Sequence, residues 1–234
     1  MTIHRYFLAC GLALTGVSAS GQSITVLPVS IQMAPGESAT TLTIINSDTV
    51  ATSVQVRAFA WSQSAGTDLL SPSNVIVASP PIATIPAHSA QVVRLVLRQQ
   101  PTGKEATYRV VVDQIPPPAE PGTVRIALRM SIPIFAQPRT RTESRLAYRI
   151  ENKAGKLSLV AVNGGARHET LRTIDLSDGL TAQANASPYV LAGATRRWPL
   201  MTTGAVPAAG SAVRLTASAD TGGLDQPVAI IAVP

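Results

Sequence analysis

One cysteine and three histidines are all that the 234 residues offer to redox or metal chemistry. Cys10 lies in MTIHRYFLACGLALTGVSASGQ, where Arg5 precedes an apolar run that ends in small residues, the layout of an export signal. Cleavage after Ala19 or Gly21 removes the thiol, so the mature chain has no disulfide although its compartment permits one. His4 goes with the same segment. His88 and His168 then remain, 80 positions apart and without an acidic cluster beside either, which excludes a metal centre. Both read as exposed loop histidines, in PAHSA and GARHET. No G-x-S-x-G elbow accompanies them, so nucleophilic catalysis lacks its parts and the chain does not read as an enzyme. GKEAT and NGGAR have neither Walker spacing nor a following helix, so no nucleotide cofactor is expected.

Aromatic and charged residues are also scarce. Two tryptophans, four tyrosines and three phenylalanines leave little to stack on bases or sugar rings, and charged residues make up 14%. Without Arg5 there are 18 Lys plus Arg against 13 Asp plus Glu, a charge of +5 scattered along the chain rather than gathered into a block. Nucleic acid is excluded as a partner on both counts. Beyond the signal no apolar run is long enough for a membrane span, and the mature protein is expected to be soluble.

What the chain does contain is period-two alternation. SITVLPVSI, ATTLTIIN, SVQVRAFAW, NVIVA, AQVVRLVLR, ATYRVVVDQI and GTVRIALRMSIPIFAQP alternate Val, Ile, Thr and Ala with polar residues. Turns rich in Gly, Pro and Asx separate them, among them QSAGTD and SPPIATIPAHS. The fold class is all-β, and seven strands are the complement of one immunoglobulin-like sandwich. After QPRTRTES, a charged stretch without apolar period, a second run of short strands begins with LAYRIE and ends with VAIIAVP. The expected organisation is a signal peptide at 1–21, a first domain at 22–138 and a second at 139–234. Trp61 is expected in the first sandwich core, and Trp198 in the second with its neighbouring arginines solvated.

The last strand of the first set stands apart. Val124, Ile126, Leu128, Met130, Ile132 and Ile134 share one face, while Arg125, Arg129 and Ser131 make the other a wet one. At roughly 1.5 to 3 kcal/mol for each fully buried side chain, that face represents on the order of 10 kcal/mol seeking a partner. Periodicity alone allows the partner to be the domain's own core.

In order, the pieces are a signal, the P-x-x-I-x-x-x-P-G pattern from Pro28 to Gly36, TIIN, a tryptophan strand, SPPIATIPAHSAQVVRL, YRVVVDQIPP and SIPIFAQP. NGGARHETL, PYVLAGATRRWPL and LDQPVAI follow in the second half. This series resembles the periplasmic pilus chaperones of the chaperone-usher pathway, in the archaic branch that serves spore-coat-like pilins. The resemblance implies two immunoglobulin-like domains in a boomerang. It also implies a donor strand, here Val124, Ile126, Leu128, Met130 and Ile132, that completes an unfinished pilin sandwich by β-augmentation. The partners implied are pilin subunits and an outer-membrane usher, with self-association when free. The compartment is the periplasm, and no ATP, metal or other cofactor is involved. Relatives hold the subunit's C-terminal carboxylate with an arginine and a lysine, at positions matched here by Ser30 and Pro133. Arg94 is the first substitute as anchor and Arg129 the second. Glu105 matches the acid of the family's interdomain salt bridge, Gln137 stands in place of its arginine, and Arg139 or Arg141 is the expected replacement. The alternative reading is a secreted two-domain adhesin or carbohydrate-binding module.

Overall fold

The computed structural model describes residues 24–116, 122, 124, 126–182 and 187–234. The signal peptide with Cys10, most of the turn PPPAEPG, Arg125 and Asn185 lie outside the described residues. Within them every regular element is a strand, as the alternation requires.

The first domain comprises β1 (Ile24–Leu27), β2 (Ile31–Met33), β3 (Ala39–Asn46), β4 (Thr52–Ser64), β5 (Thr67–Pro72), β6 (Ile76–Ser79), β7 (Ile82–Ile85), β8 (Ser89–Leu97), β9 (Ala106–Ile115) and β10 (Arg129–Ala136). They form two sheets, ordered β1-β3-β8-β6 and β2-β10-β9-β4-β5, with β7 also paired to β4. Leu42, Ile44, Val93 and Leu95 of one sheet meet Val54, Val56, Val110, Val112 and Ile134 of the other in a continuous core.

Three departures from the expected strand count have local causes. SITVLPVSI is interrupted at Pro28, which has no N–H to give a ladder, and the chain passes there from one sheet to the other. SPPIATIPAHS is not all turn, because Ile82–Ile85 finds the free flank of β4. SVQVRAFAW runs on past Trp61 into a hairpin with β5.

The second domain comprises β11 (Leu146–Lys153), β12 (Lys156–Asn163), β13 (Glu169–Leu176), β14 (Leu180–Ala182), β15 (Tyr189–Val190), β16 (Thr195–Thr202), β17 (Ala212–Ala219) and β18 (Gly222–Ala232). Its sheet runs β14-β16-β12-β11-β18-β17-β13-β15 and curls round so that β14 also pairs with β13. Ile150, Leu159, Leu215, Ile230 and Trp198 fill it. In each domain a buried asparagine at a strand end satisfies loop backbone. Asn46 donates to the carbonyls of Val50, Ile85 and Pro86, and Asn163 donates to those of Arg167 and Val190.

A third, smaller core lies between the domains and contains Trp61, Phe135, Leu191 and Ala194, with Tyr189 against it. Four expectations are corrected there. Trp61 leaves the sandwich core, because it points outward from the end of β4 onto the second domain. His168 is buried rather than exposed. Its ring stacks on Phe135, 3.6 Å between centroids, and its Nδ1 lies 2.6 Å from Glu105 Oε2. Neither Arg139 nor Arg141 pairs with Glu105; Arg141 lies beside Glu143 at 3.5 Å on the surface. Of the arginines beside Trp198, Arg196 is buried and pairs with Asp68 of the first domain at 3.0 Å.

Candidate functional site

The alternating stretch reads as one strand in sequence, but among the described residues regular pairing begins only at Arg129, and its side chains occupy two environments. Val124 and Ile126 are 92% and 77% exposed, Leu128 and Met130 are half-buried, Ile132 is 4% exposed and Ile134 fully enclosed. The change follows the neighbours. On one side β9 pairs with β10 along its whole length, and the Gln114 amide still reaches the Leu128 carbonyl at 2.9 Å. On the other side β2 pairs, in parallel, only with Ile134, Phe135 and Ala136. From Arg129 to Pro133 that flank has no strand beside it among the described residues. Ile132 therefore serves the protein's own core, with Met130 packed against it, and the wholly presented apolar side chains are those nearer the start of the stretch.

The flank is open because β1 and β2 belong to different sheets. β1 is the edge of the four-stranded sheet, and Leu27 at its end and Val29 just beyond it are 49% and 75% exposed. The sandwich mouth is thus lined by apolar side chains beside unpaired backbone, the combination an incoming strand can use.

The other face of β10 is not uniformly wet, as alternation alone suggested. Arg129 and Ser131 are exposed, whereas Pro133 and Phe135 are buried. At its outer end Arg129 and Arg57 both donate to Asp113, Arg57 at 2.6 Å. Partial burial works to raise the Asp113 carboxyl, but the hydrogen bonds and positive charges of Arg129 and Arg57 together outweigh it and hold the group below the usual carboxylate range. A carboxyl lowered by folding contributes stability that is complete above its unfolded value, about 3.9, and is lost as pH falls through the folded one. Asp113→Asn is accordingly expected to flatten the fall in thermal midpoint below about pH 4, read from melts across the acid range.

Further along the same face Arg109 of β9 occupies the mouth of the cleft between the domains. Its guanidinium lies 3.8 Å above the Trp61 ring and 5.5 Å from that of Tyr189, and Nη1 donates to the Ser131 carbonyl at 3.4 Å. Burial lowers its pKa, opposed in part by Asp68, yet a guanidinium stays charged at any physiological pH. Among the described residues no carboxylate lies within ion-pair distance of it. Arg109 is opposite Pro133 in register, and continuing the β2–β10 register by one residue brings Ser30 abreast of Pro133. A cation absent from both those positions is present one strand away. Sequence reasoning missed it because alternation marks Arg109 only as outward-facing.

The two cations singled out from the sequence are not brought together. Arg129 is engaged by Asp113. Arg94 lies exposed on β8 in the other sheet, opposite Thr41 and Ser79. His88 is exposed in its turn, and no group of His, Cys, Asp and Glu with metal-binding geometry occurs among the described residues.

Residues 23–141 match the family model described as pili and flagellar-assembly chaperone, PapD N-terminal domain. No curated protein matches the chain. Among solved structures it is similar to a chain of the CsuC-CsuE chaperone-tip adhesion subunit pre-assembly complex from the archaic chaperone-usher Csu pili of Acinetobacter baumannii. There the identity is 24% and the TM-score 0.68, over 91% of this chain and 100% of the other. It is also similar to the E. coli chaperone DraB, with 20% identity and a TM-score of 0.60 over 88% and 96% of the two chains. A chain of the Salmonella enterica SafA pilin–SafB chaperone complex gives 17% and 0.61 over 88% and 94%. These likenesses establish the two-domain immunoglobulin-like fold. With the family model spanning just over half of its residues, the protein belongs to the pili and flagellar-assembly chaperones.

Proposed function

We propose that the chain captures pilin subunits in the periplasm by lending them the open flank of β10, and passes them to an outer-membrane usher without ATP and without catalysing a reaction. One observation carries this reading: Val124 and Ile126 expose their side chains to solvent just ahead of β10, whose far end is buried and which has no strand beside Arg129 to Pro133 on its second flank among the described residues. Backbone hydrogen bonds along that flank give affinity, and side chains two residues apart fill successive pockets. Val124, Ile126 and Leu128 supply the new contacts, while Met130 and Ile132 anchor the strand in the chaperone. The archaic branch is favoured by the likeness to the Csu complex. The segment before Gln22 acts as the export signal. Purification of the tagged chain from periplasm tests the reading. A single immunoglobulin-like pilin should accompany it in equal amount, and recovery of the chain alone or with unrelated proteins would overturn the proposal.

Within this reading Arg109 takes the role of carboxylate anchor in preference to Arg94 or Arg129. It alone of the three combines an unpaired guanidinium with a place beside the open flank and the cleft. Stacking on Trp61 holds the fork in place, which favours two-point binding of a carboxylate. Arg109→Ala is expected to weaken subunit binding by about 2 to 5 kcal/mol, the scale for truncating one partner of a buried charge pair. Arg94→Ala should leave it unchanged. The comparison that decides is a subunit with an amidated C-terminus: equal weakening of native and amidated subunits would remove Arg109 from the role.

A further inference from the structure

The hairpin between β4 and β5 reaches across to the other domain. Its tip turns at Ala65 and Gly66, both left-handed at φ 51° and 83°, as a two-residue hairpin turn demands. Gly66 forms a parallel bridge with Arg196 of β16. A Cβ at Gly66 would stand 3.1 Å from the Cβ and Cγ of Arg197, so glycine is needed here for approach as well as for the turn. Behind the tip, Gln63 uses its amide as a substitute strand: Nε2 donates to the Tyr189 carbonyl at 2.9 Å and Oε1 accepts from the Leu191 amide at 3.0 Å. Asp68 Oδ1 accepts from Gln63 at 2.8 Å and from the buried Arg196 at 3.0 Å.

We propose that this hairpin is a clasp that sets the angle between the two domains, with Gly66, Gln63 and Asp68 as its positioning residues. Domains joined by a small interface move relative to one another by default. Among the described residues two polar attachments through different strands flank the small interdomain core. The Glu105–His168 contact joins the start of β9 to the approach to β13, and the clasp joins β4 and β5 to β15 and β16. Either alone leaves a rotation about itself; together they remove it. The cleft at Arg109 inherits the result, because Trp61 and Tyr189, the two rings the guanidinium lies against, belong to the strands that the clasp joins.

The test needs no binding partner, so its outcome is separate from that of the chaperone reading. Gly66→Ala and Asp68→Ala are compared with Gly155→Ala, a glycine at φ 84° in the β11–β12 turn with nothing within 4 Å of its added Cβ. Small-angle scattering of the purified chain should show a larger radius of gyration for the first two variants and an unchanged curve for the third. Hydrogen exchange at the Leu191 amide should accelerate by about tenfold or more in Gly66→Ala and Asp68→Ala. Scattering and exchange indistinguishable from the parent in both would overturn the clasp, as would the same changes in Gly155→Ala. Should Gly66→Ala fail to fold, Asp68→Ala decides alone, since its backbone conformation is an ordinary one.

Discussion

Ile126→Asp is expected to leave the chain folded and to abolish subunit capture, while Ile132→Asp, six residues along the same face, is expected to unfold it. The contrast follows from burial alone. Ile126 is 77% exposed, so a carboxylate there remains in water in the free protein. In the complex that carboxylate must enter an apolar pocket, at a cost of several kcal/mol. Each 1.4 kcal/mol is a tenfold loss of affinity, which takes a micromolar complex beyond detection in a pull-down. Ile132, at 4% exposure, packs against Val110 and Ile134 in the first core. Its replacement by Asp loses the burial and leaves an unpaired charge, together comparable with the whole stability of a domain at about 5 to 15 kcal/mol. Circular dichroism and subunit pull-down check both. Unfolding of Ile126→Asp, or undiminished capture by it, would remove the donor role from that position.

Phe135→Ala is expected to cost about 3 to 5 kcal/mol, the range for emptying a buried aromatic site. The ring is fully enclosed and touches both domains: it stacks on His168 and lies 5.8 Å from Trp61 and 5.3 Å from Tyr189, centroid to centroid. Collapse of the vacated space cannot be local, because its walls come from separate domains. Loss of the ring also exposes the buried Glu105–His168 contact, whose second carboxylate oxygen already has no partner. Denaturant unfolding followed by tryptophan fluorescence measures the effect. A loss below about 1 kcal/mol would mean that the interdomain cluster is filler rather than a stabilising core.

Strand type, most turn positions and the two-domain division were legible in the residues, because each depends largely on short-range geometry. Alternation in Val124 to Ile134 is a property of any extended backbone, and the Ala65–Gly66 turn is announced by QSAGTD. Alternation names a face but not what covers it. That β2 meets β10 only at Ile134–Ala136, leaving Val124 and Ile126 presented and Ile132 buried, depends on where the chain crosses between sheets after β1. His168, Trp61, Phe135 and Arg196 were misread or incompletely read for the same reason. Their partners lie far away in sequence, Glu105 by 63 residues from His168 and Asp68 by 128 from Arg196, and no local pattern records a contact made by domain docking. Arg109 shows the limit most directly: its sequence context gives an outward-facing strand arginine, and only its seat against Trp61 and Tyr189 turns that residue into a held cation, without a carboxylate partner among the described residues, at the mouth of a cleft.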